Sequence, residues 1–475
     1  MRLKGMVIDW RTFDFDRLFL DHGTVPMGKQ RRKKDKRYTM NLYCAFDIET
    51  STVWLDSVRE HYNVHSFMYS WAFQIEDYTI LGREWDEYMQ FLDRLRKALV
   101  TVKEKRFCET EPKLIIWVHN LAYEFAFLSG IYSFTDEECF FRDVRKPIYV
   151  KMFDVFEYRC SYIQTNLSLA MLCKQMGVEE KLSGQKFNYS VLRFPWTELN
   201  EYEQEYIIRD VRSLVQAMKK RVEQNGDTLV TVPLTSTGYV RRECKESLKG
   251  HYLDIGEMKP DERQYRLLRR AFRGGNTHAN KRYAGRILDN VNSYDIASCY
   301  PTQQLTQRFP MKPYKWLDGR LTIDRLFKFI GLGYSVVALY QFKGLRLKDK
   351  NTAIPYLSLS RTESLMYKEI EYTDSKGRVK KRKKSCVKLD NGRILESFYT
   401  EVALTEIDLE IVLKQYVFDE VAVIEAMTAK KDYLPEEYRK VIMEYYTNKT
   451  KLKGDDSDNG IYLYTKSKNM LNSVY

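Results

Sequence analysis

Two carboxylates two residues apart, Asp47 and Glu49, close the apolar run Leu42-Tyr43-Cys44-Ala45-Phe46. In an extended strand, residues i and i+2 share a face, so both acids project together. Like charges that close are costly unless a cation lies between them, and an all-oxygen set suits Mg²⁺ or Mn²⁺. A second chemistry-bearing stretch is Asp295-Ile296-Ala297-Ser298-Cys299-Tyr300-Pro301. Residues 291–295 read as a buried strand end, and Pro301 suits the first turn of a following helix, where its missing N–H costs nothing. A carboxylate at such a junction can hold a metal ion while the turn's backbone cradles a triphosphate. That is half of a nucleotide-polymerising site. At the far end, Lys468, Asn472 and Tyr475 fall at i, i+4 and i+7, one face of one helix. That face offers a cation for a phosphate, an amide for a base edge and a ring for stacking.

The elements that must position these groups follow from periodicity and punctuation. From residue 41 to about residue 224, strands and helices alternate, as in an α/β layer. Residues 42–48 and 114–118 read as strands, and 203–219 as a helix with the apolar stripe Ile207, Val211, Leu214 and Met218. Tyr206 and Asp210 lie at i, i+4 on a neighbouring face, which directs them to a cleft. A polar stretch at Asn225-Gly226-Asp227 reads as a boundary. Further on, Ser375-Lys376-Gly377 and Asp390-Asn391-Gly392 are hairpin signals around the basic run 380–384. Thr405 and Asp408 form a T-x-x-D cap ahead of Leu409, Val412 and Leu413, so a helix starts at Thr405.

These residues carry a resemblance. D-x-x-S-C-Y-P at Asp295–Pro301 followed by K-x-x-x-N-S-x-Y at Lys468–Tyr475 resembles motifs A and B of family B DNA polymerases, the second written almost as in the protein-primed members of bacteriophages and linear plasmids. F-D-I-E at Phe46–Glu49, N-x-x-Y-E at Asn120–Glu124 and Y-x-x-x-D at Tyr206–Asp210 are similar, in order and spacing, to the three exonuclease motifs of the same family. The second of these normally ends in Asp, and here it ends in Glu124. Phe272-Arg273-Gly274-Gly275 resembles the Y-x-G-G segment between exonuclease and polymerase domains, with Phe in place of Tyr. Ser168-Leu169-Ala170-Met171-Leu172 resembles the [ST]-L-x-x-h element that contacts single-stranded DNA and the priming protein; one turn of a core helix fits those residues equally well.

The resemblance implies an α/β and α+β multidomain chain: a basic extension (1–40), an RNase H-like 3′–5′ exonuclease domain (41–225), the start of a palm (226–309), a palm insertion like terminal protein region 1 with returning palm elements (310–430), and incomplete fingers (431–475). In the nuclease, Asp47, Glu49, Glu124 and Asp210 would hold two Mg²⁺ or Mn²⁺ ions that clamp the scissile phosphate, one activating water and one stabilising the leaving 3′ oxygen. Tyr206 would orient that water, Asn120 and Tyr123 would hold the frayed strand, and Lys181 or Lys186 would be the exonuclease-site lysine. In the polymerase, Asp295 and the Ile296 carbonyl would hold metal, Lys468 would neutralise the triphosphate, Tyr300 and Tyr475 would frame the incoming dNTP, and Asn472 would also bind it. Tyr300 would sit under the sugar, where a 2′-OH collides with its ring. Single-stranded DNA would meet Ser168, Leu169 and the segment Phe272, Arg273, Gly274, Gly275. The run 380–384 would meet DNA or the priming protein, or serve as a solvated hairpin.

Bulk properties agree with a polyanionic partner. The chain has 475 residues, long enough for two to four domains, and a formal net charge of +13. Its 35 tyrosines and 24 phenylalanines provide both core and stacking surfaces. Eight cysteines show neither C-x-x-C nor zinc spacing, and with six histidines they read as reduced thiols in a cytosol-like compartment, the host cytoplasm for a viral protein. No secretory h-region and no apolar run of membrane length is evident. The run 30–37 is a solvated or DNA-touching tail. The family's Y-x-D-T-D-S-like motif C belongs downstream of motif B, and the acidic cluster Asp455-Asp456-Ser457-Asp458 lies upstream without a strand pattern. The expectation is therefore a fragment or split half of a polymerase that acts with a priming protein and a separate segment. A stand-alone 3′–5′ exonuclease and a non-catalytic DNA-binding remnant are the alternatives.

Overall fold

The structure is a computed structural model that describes residues 6–27, 37–54, 64–106, 108–182, 188, 190–279, 283–349, 354–373, 375–454 and 458–474. The chain divides into two compact units, Met1–Tyr239 and Val240–Tyr475.

The first unit is built on an eight-stranded mixed sheet. In chain order its strands are β1 (Met6–Val7), β2 (Cys44–Trp54), β3 (Val64–Ile75), β4 (Tyr78–Gly82), β5 (Leu114–Val118), β6 (Cys139–Asp143), β7 (Lys146–Met152) and β8 (Phe156–Cys160), arranged β1-β4-β3-β2-β5-β8-β7-β6. β2 lies near the middle, antiparallel to β3 and parallel to β5. Both faces of this centre are covered, so β2 and β5 read as continuous apolar runs. The period of two then sorts their side chains. Cys44, Phe46, Ile48, Leu114, Ile116 and Val118 enter one core with Trp71, Tyr88 and Phe91. Tyr43, Ala45, Ile115 and Trp117 enter the opposite core with Ile207, Val211, Leu214 and Met218. Phe46 and Phe73 are wholly buried, each contributing about 3 kcal/mol of transfer free energy. Gly82 is required where it stands, because a Cβ there would meet the Trp71 ring at 2.2 Å.

The second core is closed by the long helix Glu201–Gln224. Asn200 caps it, accepting from the Glu203 N–H while the Glu203 carboxylate accepts from the Asn200 N–H. The helix expected over 203–219 is thus extended at both ends.

The second unit holds an antiparallel sheet in the order Phe309–Pro310, Glu420–Asp432, Tyr334–Leu347, Arg393–Thr405, Glu363–Ser364. Val337, Leu339, Ala403 and Met427 meet Leu267 and Ala271 of the helix Glu262–Ala271. Val336, Ala338 and Tyr340 face the other way, against Leu326, Leu409 and Val412. The capped helix forms as expected: Glu406–Gln415 starts after Thr405, which shares reciprocal hydrogen bonds with Asp408. Both hairpins also form. Val387–Asp390 turns into Arg393–Thr405 through Asn391 and Gly392, at φ 45° and 73°, and Tyr367–Thr373 pairs with Val379–Ser385. The helices Glu436–Lys451 and Asp458–Asn472 pack through Val441, Ile442, Tyr445 and Leu471.

Among the described residues no helix is long and apolar enough to cross a membrane. All eight cysteines are free thiols.

Candidate active site

Asp47 and Glu49 do not end a strand, as the sequence suggested; they sit inside β2, which runs on to Trp54 because β3 pairs with it throughout. A register shift falls between Glu49 and Thr50, immediately after the second acid. Their side chains project on the face of Ala45, the one covered by the helix Glu201–Gln224. That helix brings Asp210 to them: carboxylate oxygens of Asp47, Glu49 and Asp210 lie within 4.8 Å of one another.

The fourth acid comes from the helix Leu121–Ile131, which follows β5 directly. The entry residue Asn120 takes a left-handed conformation, φ 71°, a tight turn that an asparagine tolerates. One turn later Glu124 is buried, and its charge acts on Asp47 more strongly than do those of Asp210 and Glu49. Tyr123 is exposed and shares a hydrogen bond with Thr50, beside Glu49.

The electrostatics are those of acids short of positive charge. Burial, then Glu124, Asp210 and Glu49, push Asp47 well above the usual carboxylate range, against Lys181. Burial and the Asp210 charge push Glu49 up to about 8, with Lys181 and Arg193 pulling the other way. Burial is also the main cause for Glu124, which reaches about 8. Asp210 is raised by burial and pulled down by Lys181. Two buried oxygens, Glu124 Oε2 and Asp210 Oδ1, have no hydrogen-bond partner among the described residues. Orphaned buried oxygens are rare in folded proteins. A divalent cation among these carboxylates would satisfy the oxygens and relieve the repulsion, so the donor set fits Mg²⁺ or Mn²⁺.

Tyr206 and Asp210, expected to face a cleft, are both buried, 3% and 6% exposed. The helix packs so closely on β2 and β3 that its neighbouring face is covered as well. Of the two candidate lysines, Lys181 lies within the described residues, next to Asp210. Its Nζ donates to Asp210 Oδ2 at 2.6 Å and lies 5.0 Å from the Tyr206 ring centroid, while Lys186 lies outside the described residues. Burial acts to lower the Lys181 pKa, but Asp210 and Tyr206 outweigh it and hold the ammonium charged.

Arg193 and His119 had no sequence signal of their own. Arg193 is buried, donates its backbone N–H to Ser51 and its side chain to Glu203, and biases Glu49. His119 shares a hydrogen bond with Ser161 at 3.0 Å, and burial holds it neutral, down to about 4. The Ser168 hydroxyl caps the helix Leu169–Met176 by accepting from Met171, Ser168 is itself exposed, and Leu169 is core.

The polymerase-like stretch is built differently. Residues 291–295 form no strand and are exposed, Val291 by 69% and Tyr294 by 90%. A strand is stabilised by its neighbours, and no strand among the described residues pairs with this one. Asp295, Ile296 and Tyr300 are exposed as well. The helix part is as expected: Cys299–Thr306 follows Ser298 at φ 49°, with Pro301 in its first turn. Lys449 Nζ meets Ser298 Oγ at 2.9 Å, a contact with no signal in the sequence. Lys468 and Asn472 share the helix Asp458–Asn472, exposed on either side of the buried Leu471. The helix runs to Asn472, and Tyr475, the third residue of the expected face, lies outside the described residues. Asp455, Asp456 and Ser457, and residues 30–36 of the basic run, also lie outside them.

In the segment Phe272-Arg273-Gly274-Gly275, Phe272 is exposed and Arg273 donates to the Ala403 carbonyl. Space is open beside both glycines.

No curated protein matches the sequence. Among solved structures, Phi29 DNA polymerase complexed with primer-template DNA and incoming nucleotide substrates is similar at 16% identity and TM-score 0.62, over 92% of this chain and 67% of that one. Phi29 DNA polymerase complexed with single-stranded DNA is similar at 15% identity and TM-score 0.58, over 91% and 66%. The chain therefore spans about two thirds of the length of those chains and shares their mixed α/β multidomain fold. Residues 178–475, more than half of the sequence, match one family along their whole length, and the chain belongs to the type B DNA polymerases, organellar and viral.

Proposed function

We propose that this chain is a DNA-directed DNA polymerase of the protein-primed kind with a 3′–5′ proofreading exonuclease, acting in replication of viral or plasmid DNA in the host cytoplasm. The observation that carries the nuclease is the meeting of Asp47, Glu49 and Asp210 within 4.8 Å, with buried unpaired oxygens on Asp210 and Glu124. It lies largely outside the residues of the family match, so it is independent support.

Bound divalent cations would supply positive charge to the scissile phosphate and an activated water. The chain's own groups do the rest. Lys181 ties down one oxygen of Asp210 and leaves the other to the cation. Tyr206, beside Lys181, is held to orient the attacking water. Tyr123, fixed by Thr50, and Asn120 form the wall against which the single-stranded 3′ end lies.

In the polymerase, Asp295 and the Ile296 carbonyl serve the metal, and Lys468, Asn472, Tyr300 and Tyr475 serve the incoming dNTP. The family match and the Asp295 and Lys468 motifs support this half. The partners are primer-template DNA, single-stranded DNA, dNTPs and a terminal priming protein.

The test is a 5′-labelled single-stranded oligonucleotide incubated with the protein and Mg²⁺ or Mn²⁺. A ladder shortening from the 3′ end, abolished by EDTA, is expected. An intact oligonucleotide under both metals would remove the nuclease from the reading.

A further inference from the structure

The hairpin of Tyr367–Thr373 and Val379–Ser385 forms a two-stranded ribbon of its own. Its register sets Lys368 opposite Lys384, Ile370 opposite Arg382 and Tyr372 opposite Lys380. Between these stand Glu369 opposite Lys383 and Glu371 opposite Lys381. Directly opposed residues of an antiparallel pair project from the same face, and the face alternates at each step. One face therefore carries Lys368, Lys380, Arg382 and Lys384 with Ile370 and Tyr372, and no carboxylate of either strand. The other face matches each lysine with a glutamate, and Lys381 Nζ lies 3.8 Å from Glu371 Oε1.

This segregation is informative. The run 380–384 is fully exposed along its strand, yet it is not one undirected cloud of charge. Solubility alone would be met by the balanced arrangement on both faces. Instead, Lys368 and Lys384 stand directly opposite, an arrangement that weakens strand pairing.

We propose that the carboxylate-free face of this ribbon binds the phosphodiester backbone of DNA. The charge is complementary. The three cations of Val379–Ser385 recur every second residue, about 6.8 Å apart at a rise of about 3.4 Å per residue. That step is close to the spacing of successive phosphates along one strand. Arg382 lies 5.1 Å from the centre of the exposed Tyr372 ring, so a stacking surface accompanies the charge, as suits a nucleic acid better than an acidic peptide. Such contacts hold a strand without reading its sequence. The inference rests on the reading of the chain as a DNA enzyme only for the choice of polyanion.

Two double variants of equal net charge test it, Arg382→Gln/Lys384→Gln on one face and Lys381→Gln/Lys383→Gln on the other. Binding of a labelled single-stranded oligonucleotide is followed by anisotropy across KCl concentrations. The first variant should flatten the slope of log K against log salt by about 1.4 and weaken binding roughly tenfold at 0.1 M. The second should leave the slope unchanged. Equal losses in both variants, or none in the first, would overturn the proposal. So would an unmoved DNA slope accompanied by lost binding of polyglutamate, which would give the face to an acidic protein. Because binding is read without catalysis, a face-specific loss stands even if the protein cuts no DNA, and the failure of one reading is separable from that of the other.

Discussion

Asp47 and Asp295 are aspartates of the same chemical kind in opposite surroundings. Asp47 lies on a strand paired on both sides, in a site where half-buried and buried acids from three elements press their charges on one another. Asp295 lies in an exposed run without a strand partner among the described residues. The first site is assembled by packing within its own unit, and its donor set fits a divalent cation. The second presents an exposed carboxylate outside any strand among the described residues. The difference teaches that a motif conveys which groups will react, while the sheet around it decides whether they are held ready to do so.

The largest expected consequence lies on the polymerase side. Two-metal phosphoryl transfer needs carboxylates held in place for both ions, and Asp295 is exposed in a run without a strand partner among the described residues. Under conditions in which the protein shortens a single strand, template-directed primer extension should stay at background. Extension by this protein alone, lost on Asp295→Ala, would break the contrast between the two sites.

Next is Lys181. As the group that orients Asp210, its loss should cost about 10–100-fold in nuclease rate, the range for residues that position a metal ligand. Lys181→Ala tests this in single-turnover cleavage, and a rate within twofold of wild type would reduce the lysine to a surface ion pair.

The raised acids give a pH dependence. Glu49 and Glu124 move from 4.5 to about 8 on folding, so the folded protein binds protons more readily than the unfolded one. The stability they confer is complete below about 4.5 and is lost as pH rises through about 8. Metal-free protein should therefore melt earlier at pH 8.5 than at pH 5.5, and Mg²⁺ should raise the melting midpoint more at the higher pH. The same Mg²⁺ shift at both values would mean the acids hold no cation.

The smallest effect is expected at Glu124. Glu124→Asp shortens the arm by one methylene and should retain or raise nuclease activity. Complete inactivation would show the site to be built around the longer side chain.

Much of this was legible in advance where local rules and packing agree. The strand Leu114–Val118 and the Thr405 cap came through because apolar runs and capping residues act within a few positions. That Asp47 and Glu49 share a face was legible from the period of two, and the helix Glu201–Gln224 brings Asp210 to that face. Burial of Tyr206 was not, since the coverage of a second helix face depends on how closely the helix packs on β2 and β3. Arg193 was missed because it reaches the site through Ser51 and Glu203, which are far from it in sequence or ordinary in type. The strand over 291–295 failed for a related reason: alternation and apolarity describe a strand's faces but cannot provide its neighbour.

The central claim is that the acids around Asp47 form a self-sufficient nuclease site. The most direct measurement compares wild type, Asp47→Ala/Glu49→Ala and Asp295→Ala on a 5′-labelled single strand with Mg²⁺, with folding followed by thermal unfolding. The account predicts 3′–5′ cleavage at background in the double variant and at the wild-type rate in Asp295→Ala, with both variants folded. EDTA-sensitive cleavage persisting in the folded double variant would contradict it.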